Sequence, residues 1–320
     1  MRTRPVRAGE LDLFVEAAGP PDHREEVRQY RQSMFAAGSM RPEWCFVAEE
    51  DEGRPLGRVA FWTLPGMEVP FALVLLDLPW EDDYAGVGKR LLGDVLEEAR
   101  SLGAGEIEHV LDAPPMPPQF QYDPAKRVEL LRSVGFAFRR ETGRFEWRGE
   151  EPPAEPGRLA FRTLEEVGEE AFVDAMRRVS EGTRDREIRE ERERLGPQDA
   201  AREFFEDASR VDHEHSWWRL AYAPDGQLAG LVMPAKPPAF LTVFYVGVVP
   251  EMRGRGYVDD LLAAGTATLL EARRREGKEK PLRADTDVAN TPMAAAFERA
   301  GWARFAGRRE YVAELSSDPA

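Results

Sequence analysis

The chain has 320 residues, 42% of them hydrophobic, and a formal net charge of −15. This apolar content is enough for packed cores, which excludes an intrinsically disordered protein, and the length fits two domains. The acidic balance argues against a nucleic-acid partner, because binding to phosphates requires a basic face.

The first half begins with a predicted strand at Thr3–Arg7, and we expect no signal peptide because no apolar run lies there. Residues 43–48 and 56–61, separated by a turn at Gly53, predict a β-hairpin. Cys45, the only cysteine, lies in that hairpin, which excludes a disulfide framework and a cysteine metal site. A glycine-containing turn at 86–88 then leads into a helix, a strand and a last helix that ends at Gly135.

The same order of elements recurs after a linker. Residues 149–157 are rich in proline and charge, so they separate two predicted domains, 1–148 and 158–320. The corresponding landmarks are Trp44 and Trp217, Gly86 and Gly256, and Gly135 and Gly301. Their common order and nearly constant spacing indicate a tandem duplication. Each half is therefore expected to be a mixed α/β unit.

The second half carries a charged segment before its hairpin. Residues 181–207 alternate in charge, with Glu190 four residues before Arg194, which is typical of an exposed helix. Farther along, the longest apolar-rich run, Phe240 to Val249, is far shorter than the ~20 residues that a bilayer requires. We expect a cytoplasmic protein that is a monomer or homodimer and binds no membrane. The excess of arginine over lysine is typical of a high-GC bacterial gene.

The turn between this apolar strand and the next helix is the strongest functional signal. Gly254 and Gly256 carry no Cβ, so an anion can approach the backbone there. The N–H groups and dipole at a helix start favour a phosphate. Tyr257 and Val258 follow the last glycine, which excludes a Walker loop, and the third glycine of a dinucleotide fingerprint is missing.

A second motif follows about thirty residues later in the chain. Residues 284–290 predict a strand ending at Asn290, which can cap a helix. Pro292 suits the first helical turn, and Gly301 suits the helix end before a strand that starts at Trp302.

These two motifs together resemble the GNAT N-acetyltransferase superfamily. Residues 253–258 are similar to its acetyl-coenzyme A signature, Arg/Gln-x-x-Gly-x-Gly/Ala, with Val258 in place of the final small residue. The segment from Asn290 to Trp302 resembles the second half of the GNAT fold. The resemblance implies two tandem GNAT folds, each a mixed central sheet flanked by helices, with acetyl-CoA as co-substrate. The cofactor-binding residues that it implies are Val246, Val248, Arg253, Gly254, Arg255, Gly256, Tyr257, Val258 and Asn290. It also makes residues 181–207 a possible wall of the acceptor site.

The first half departs from the signature. Asp83 stands where the family has arginine or glutamine, and Glu81 and Asp82 beside it would repel a pyrophosphate. Residues 112–118 contain no asparagine before the helix. We therefore expect the second half to bind the cofactor and the first to have a degenerate site.

The resemblance implies direct transfer of an acetyl group to a primary amine of a small molecule. Many family members protonate the thiolate with a tyrosine, but the matching positions here are Phe297 and Leu131. Tyr245 and Tyr257 are candidate replacements. Asp287, which shares a strand face with Asp285, is a candidate base or a turn-forming acid.

Two further possibilities follow from the same residues. The missing tyrosine also fits a non-catalytic acyl-CoA-binding protein that has lost its general acid. His213 and His215 flank Glu214 and could bind a metal, but the sequence offers no third ligand pair, and we expect no metal site.

Overall fold

The computed structural model describes residues 1–17, 21–81, 83–277 and 280–315. The chain forms two compact units. Unit 1 contains residues 1–140 and the segment from Gly307 onward, and unit 2 contains residues 141–306.

The strands, in chain order, are β1 (Arg2–Pro5), β2 (Cys45–Glu49), β3 (Pro55–Trp62), β4 (Ala72–Asp77), β5 (Glu106–Ala113), β6 (Ala137–Trp147), β7 (Ala160–Thr163), β8 (Arg219–Tyr222), β9 (Leu228–Ala235), β10 (Leu241–Val248), β11 (Leu282–Asp287) and β12 (Ala303–Glu314). The helices are α1 (Leu11–Glu16), α2 (Arg24–Ala36), α3 (Tyr84–Ser101), α4 (Pro124–Ser133), α5 (Leu164–Val167), α6 (Glu169–Val179), α7 (Arg186–Leu195), α8 (Pro197–Arg210), α9 (Tyr257–Glu276) and α10 (Thr291–Arg299). The alternation of strands and helices confirms the mixed α/β class.

The sheet of unit 1 has the strand order β1-β2-β3-β4-β5-β12. Neighbouring strands are antiparallel except β4 and β5, which are parallel and are connected through α3. A parallel pair requires such a crossover, and a helix is its usual form. Helix α3 packs Leu91, Leu92 and Val95 into the core of this unit.

Unit 2 repeats this arrangement. Its strand order is β7-β8-β9-β10-β11-β6, and β10 and β11 form the parallel pair, connected through α9. Both predicted hairpins are present, as β2–β3 and β8–β9. The charged segment forms two helices, α7 and α8, which meet at Gly196. Helix α7 has no buried residue in the part of the chain described, as the charge pattern predicts.

The sheet of each unit includes one strand from the other half of the sequence. Strand β12 pairs with β5 from Gly307↔Ala113 to Glu314↔Glu106. Strand β6 pairs with β11 from Leu282↔Trp147 to Asp287↔Thr142. The compact units therefore differ from the predicted division at 149–157. The residue pattern of a strand indicates its burial, but it does not identify the neighbour with which the strand pairs.

No helix among the described residues is both long and apolar enough to cross a membrane.

Candidate functional site

Strands β10 and β11 diverge soon after they begin. Within the described chain they are paired only at Leu241↔Leu282 and Thr242↔Arg283. Strand β10 also shifts its register against β9 between Val243 and Tyr245, which marks a β-bulge. The rest of β10 therefore presents a free edge to the gap between the two strands.

Two predicted cofactor residues lie on this free edge. The Val249 N–H group donates to the Ala229 carbonyl on β9. Because successive N–H groups of a strand point to alternate sides, those of Val248 and Val246 point toward the gap. The edge can therefore pair with an extended ligand that carries amide groups.

The glycine turn follows β10 and opens α9. Gly254 and Gly256 have φ angles of 78° and 76°, in the left-handed region that glycine adopts without strain. In the described part of the chain, the N–H groups of residues 254–258 have no hydrogen-bond acceptor. Five consecutive free donors at a helix N-terminus form a site for an anion such as a pyrophosphate.

Arg253, in contrast, binds the protein itself. Its Nε donates to the Val248 carbonyl at 3.1 Å, and its Nη2 donates to the carbonyls of Val179 and Glu181 at 2.9 and 2.7 Å. This side chain ties the end of β10 to the end of α6. Arg255 is exposed and contacts only the Glu251 carbonyl at 3.4 Å among described residues.

Arg158, which is not part of either sequence motif, binds the outer side of the glycine turn. Its Nη1 and Nη2 donate to the carbonyls of Arg255 and Gly256 at 3.1 and 2.8 Å. It also binds Asp260, which is buried in the first turn of α9, through its backbone N–H and its Nε, both at 3.0 Å. No motif could have indicated this contact, because 102 residues separate the two side chains.

Asn290 lies at the N-cap of α10, as predicted, but its side chain does not cap the helix. Its backbone carbonyl accepts from the N–H groups of Met293 and Ala294. Across the residues that the structure covers, the side-chain amide has no hydrogen-bond partner. It is therefore free to bind a ligand.

Asp287, at the end of β11, is buried and hydrogen-bonded through both carboxylate oxygens. Oδ2 accepts from the Arg186 N–H at 3.2 Å, and Oδ1 accepts from the Ala289 N–H at 2.7 Å. The carboxylate thus fixes the turn before α10 and the start of α7. Asp285 forms an ion pair with Arg144 at 3.3 Å.

The two candidate tyrosines have different surroundings. The half-buried Tyr245 packs edge-to-face on Phe204 of α8, with ring centroids 5.0 Å apart. Burial raises the pKa of Tyr245 above its ordinary value, and the charge of Asp185 adds to the rise. Tyr257 begins α9 beside the glycine turn, and the Arg158 guanidinium lies 5.5 Å from its ring centre.

Two other positions pack into unit 2. Phe297, where many GNAT enzymes have tyrosine, is 1% exposed and stacks on Phe145 at 5.1 Å. His213 stacks on Trp218 at 4.0 Å. No group of three or more His, Cys, Asp or Glu side chains arranged for a metal occurs among the described residues.

The corresponding helix start in unit 1 is occupied by the chain itself. The Asp83 carboxylate caps α3 and accepts from the Gly86 N–H at 2.9 Å. An acidic side chain thus lies where unit 2 has free N–H donors. Asp82, the acid that precedes it and was also expected to repel a pyrophosphate, lies outside the described residues.

The gap between β4 and β5 also contains side chains of unit 1. Gln119 accepts from the Leu75 N–H at 2.6 Å through Oε1. Arg127, which is fully buried, donates to the Leu76 carbonyl at 2.8 Å. These groups occupy the β4 backbone where an extended ligand would pair.

Comparison with known proteins supports the same interpretation. The model of the Acetyltransferase (GNAT) family matches residues 182–302, which include the glycine turn and Asn290. A search of curated protein sequences found no match.

Solved structures show the fold of the whole chain. A GCN5-related N-acetyltransferase from Sphaerobacter thermophilus is 14% identical over 99% of this chain and 96% of its own, with a TM-score of 0.65. A tandem GNAT protein from the clavulanic acid biosynthesis pathway is 18% identical over 99% of both chains, with a TM-score of 0.52. A glucosamine N-acetyltransferase region of a fungal β-N-acetylglucosaminidase is 14% identical over 97% of this chain and 38% of its own, with a TM-score of 0.59. Residues 182–302 therefore match the GNAT acetyltransferase family, and the chain as a whole has the fold of a tandem GNAT protein.

Proposed function

We propose that this chain is an N-acetyltransferase that moves an acetyl group from acetyl-CoA directly to a primary amine of a small molecule. The observation that carries the proposal is the run of free N–H donors at residues 254–258, next to the free edge of β10. A pyrophosphate fits the donors, and the amide-containing pantetheine arm fits the edge.

The predicted cofactor residues contribute in different ways. Gly254, Arg255, Gly256, Tyr257 and Val258 would bind the pyrophosphate through their N–H groups. Val246 and Val248 would bind pantetheine and polarise the thioester carbonyl. The Asn290 amide would contact the same arm. Arg253 would act indirectly, since its guanidinium holds the end of β10.

In the reaction, the neutral amine attacks the thioester carbon, the new C–N bond forms and the C–S bond breaks. The amine loses a proton, and the leaving thiolate gains one. Tyr245 is our candidate for the proton donor, because it projects from β10 near the bulge and burial keeps its phenol protonated. Tyr257, at the pyrophosphate end, is the weaker candidate. Asp287 is close enough to the cleft to be a base, but both its oxygens already bind N–H groups.

We further propose that each chain binds one acetyl-CoA, in unit 2. The Asp83 carboxylate, Gln119 and Arg127 fill the matching positions of unit 1. We also propose that the acceptor is a small cytoplasmic molecule. The net charge of −15 disfavours nucleic acid and anionic membrane surfaces as acceptors.

A second function, acyl-CoA binding without catalysis, is favoured by one observation. Phe297 is packed in the core where many relatives have their acid. Release of free thiol with a panel of amines would separate the two functions, because a binding protein gives no turnover.

Calorimetric titration with acetyl-CoA tests the cofactor site. We expect one site per chain, which Gly256→Glu removes because a Cβ at this left-handed position would lie 3.3 Å from Arg158 Nη1 and disturb the turn that exposes the donors. Gly277→Glu is the matched control, because Gly277 is also left-handed, at 60°, and lies at the other end of α9 in open space. Unchanged acetyl-CoA binding by Gly256→Glu would refute the site in unit 2. Two acetyl-CoA sites per chain would refute the proposal that unit 1 binds none.

A further inference from the structure

We propose that Arg158 is a positioning residue for the cofactor: it holds the glycine turn in the conformation that exposes its N–H donors. This inference rests on the proposed function, because it concerns the same pyrophosphate site. Arg158 lies outside the signature at 253–258 and outside the region matched by the family model, 182–302.

The geometry follows from the planarity of the peptide bond. In a trans peptide, the carbonyl of one residue and the N–H of the next point in opposite directions. Arg158 donates to the carbonyls of both Arg255 and Gly256, so neither of these two peptide groups can rotate without losing a hydrogen bond. The N–H groups of Gly256 and Tyr257 must therefore point away from Arg158, toward the side where a pyrophosphate would bind.

Arg158 is itself held in place by a buried carboxylate. Asp260 is 2% exposed and accepts from the Arg158 backbone N–H, Nε and Nη2. A buried carboxylate requires such a partner. Without Arg158, its negative charge would remain in the first turn of α9, close to the ligand phosphates. Arg158 thus acts in two ways, by orienting two peptides and by neutralising Asp260.

The test compares two acetyl donors. Acetyl-CoA carries the pyrophosphate, whereas acetyl-pantetheine lacks it. We expect Arg158→Gln to weaken acetyl-CoA binding roughly ten- to a hundredfold, as for the loss of one or two charged hydrogen bonds. The KM for acetyl-pantetheine should stay within about twofold, a split that general damage to the fold would not produce. Arg162→Gln, on the adjacent strand β7 and packed on Tyr222, is the matched control.

A double variant separates the two actions. Asp260→Asn keeps the arginine and removes the charge, so it should retain most acetyl-CoA affinity. Arg158→Gln combined with Asp260→Asn should remain weak if orientation of the peptides matters. Arg158→Lys, which keeps the charge but cannot bind two carbonyls in the same way, should also be weak.

Several results would overturn the assignment. The first is an Arg158→Gln variant that binds acetyl-CoA with wild-type affinity. The second is an equal loss of affinity for acetyl-CoA and acetyl-pantetheine in that variant. The third is full recovery of acetyl-CoA affinity in the double variant, which would show that the charge of Asp260 is the only cause. If the wild-type chain binds no acetyl-CoA, the proposed function fails first and this assignment fails with it. If the wild type binds and only the Arg158 comparison fails, the function stands.

Discussion

The carboxylate of Asp83 lies 2.9 Å from the N–H group of Gly86 and caps α3. Through this contact, the protein itself caps the start of α3, whereas the N–H groups at the start of α9 have no acceptor among the described residues. We predict that Asp83→Ala destabilises the chain by about 1 kcal/mol, the usual cost of a lost N-cap. It should create no second cofactor site, because Gln119 and Arg127 still fill the gap.

Urea unfolding and calorimetric titration would measure the two effects of Asp83→Ala. Asp94→Ala, at an exposed position of the same helix, is the control for loss of an acidic side chain. A stoichiometry of two acetyl-CoA per chain in Asp83→Ala would contradict our account of unit 1.

Tyr245→Phe should lower kcat by roughly a hundredfold and leave the KM for acetyl-CoA unchanged, since only proton donation is lost. Because the pKa of Tyr245 is raised, the wild-type phenol stays protonated up to pH 9, and kcat should not fall on its account between pH 7 and 9. Tyr257→Phe should keep its kcat. The reverse result, a loss in Tyr257→Phe alone, would transfer the acid role to that residue.

Adding the family's tyrosine does not restore a missing acid in this structure. Phe297→Tyr would place a hydroxyl in a packed core, and we expect a loss of about 1–3 kcal/mol in stability with no gain in turnover. An increase in kcat would show that the hydroxyl reaches the thiolate and that Tyr245 is dispensable.

Asp287→Asn should distinguish a base from a turn-forming acid. The amide can accept only one of the two N–H groups, so unfolding should become easier by about 1–3 kcal/mol. We expect the pH profile of kcat/KM to keep its shape, with a change in kcat below tenfold. Loss of the acidic limb of that profile would instead identify Asp287 as the base.

His109 should make the stability of the protein sensitive to acid. This residue is 1% exposed, and burial lowers its pKa from 6.5 to about 4. Below pH 6.5 the unfolded chain therefore takes up a proton that the folded chain does not. Stability should fall by up to about 3 kcal/mol between pH 6.5 and pH 4.

The measurement is urea unfolding at several pH values for the wild type and His109→Gln, which can still donate to the Leu73 carbonyl as Nδ1 does. The wild type should lose more stability than the variant on acidification. His215→Gln, at an exposed position, is the control. Parallel curves for wild type and His109→Gln would show that His109 is accessible to protons in the fold.

Local features of this fold were predictable, and distant contacts were not. The glycines at 254 and 256 are required by the backbone angles of one turn, so adjacent residues were enough to identify them. Asn290 was placed correctly at a helix start for the same reason. The contact of Arg158 with Asp260 depends on folding across 102 residues, and no local pattern encodes it.

The matching region of unit 1 shows the same limit. The acid at position 83 could be compared with the signature residue by residue, which led to the expectation of a degenerate first half. Gln119 and Arg127 could not be found in this way, because they reach β4 from a different segment. Only the three-dimensional contacts show that side chains of unit 1 fill the gap between β4 and β5.

The position of β12 has a consequence for synthesis on the ribosome. Strand β5 ends at Ala113, but its partner begins at Ala303, so nearly two hundred residues are translated between them. Chains generally fold domain by domain as they emerge. Here the sheet of the first unit keeps an unpaired edge at β5 until β12 leaves the exit tunnel. During that time the edge can pair wrongly with strands of other nascent chains.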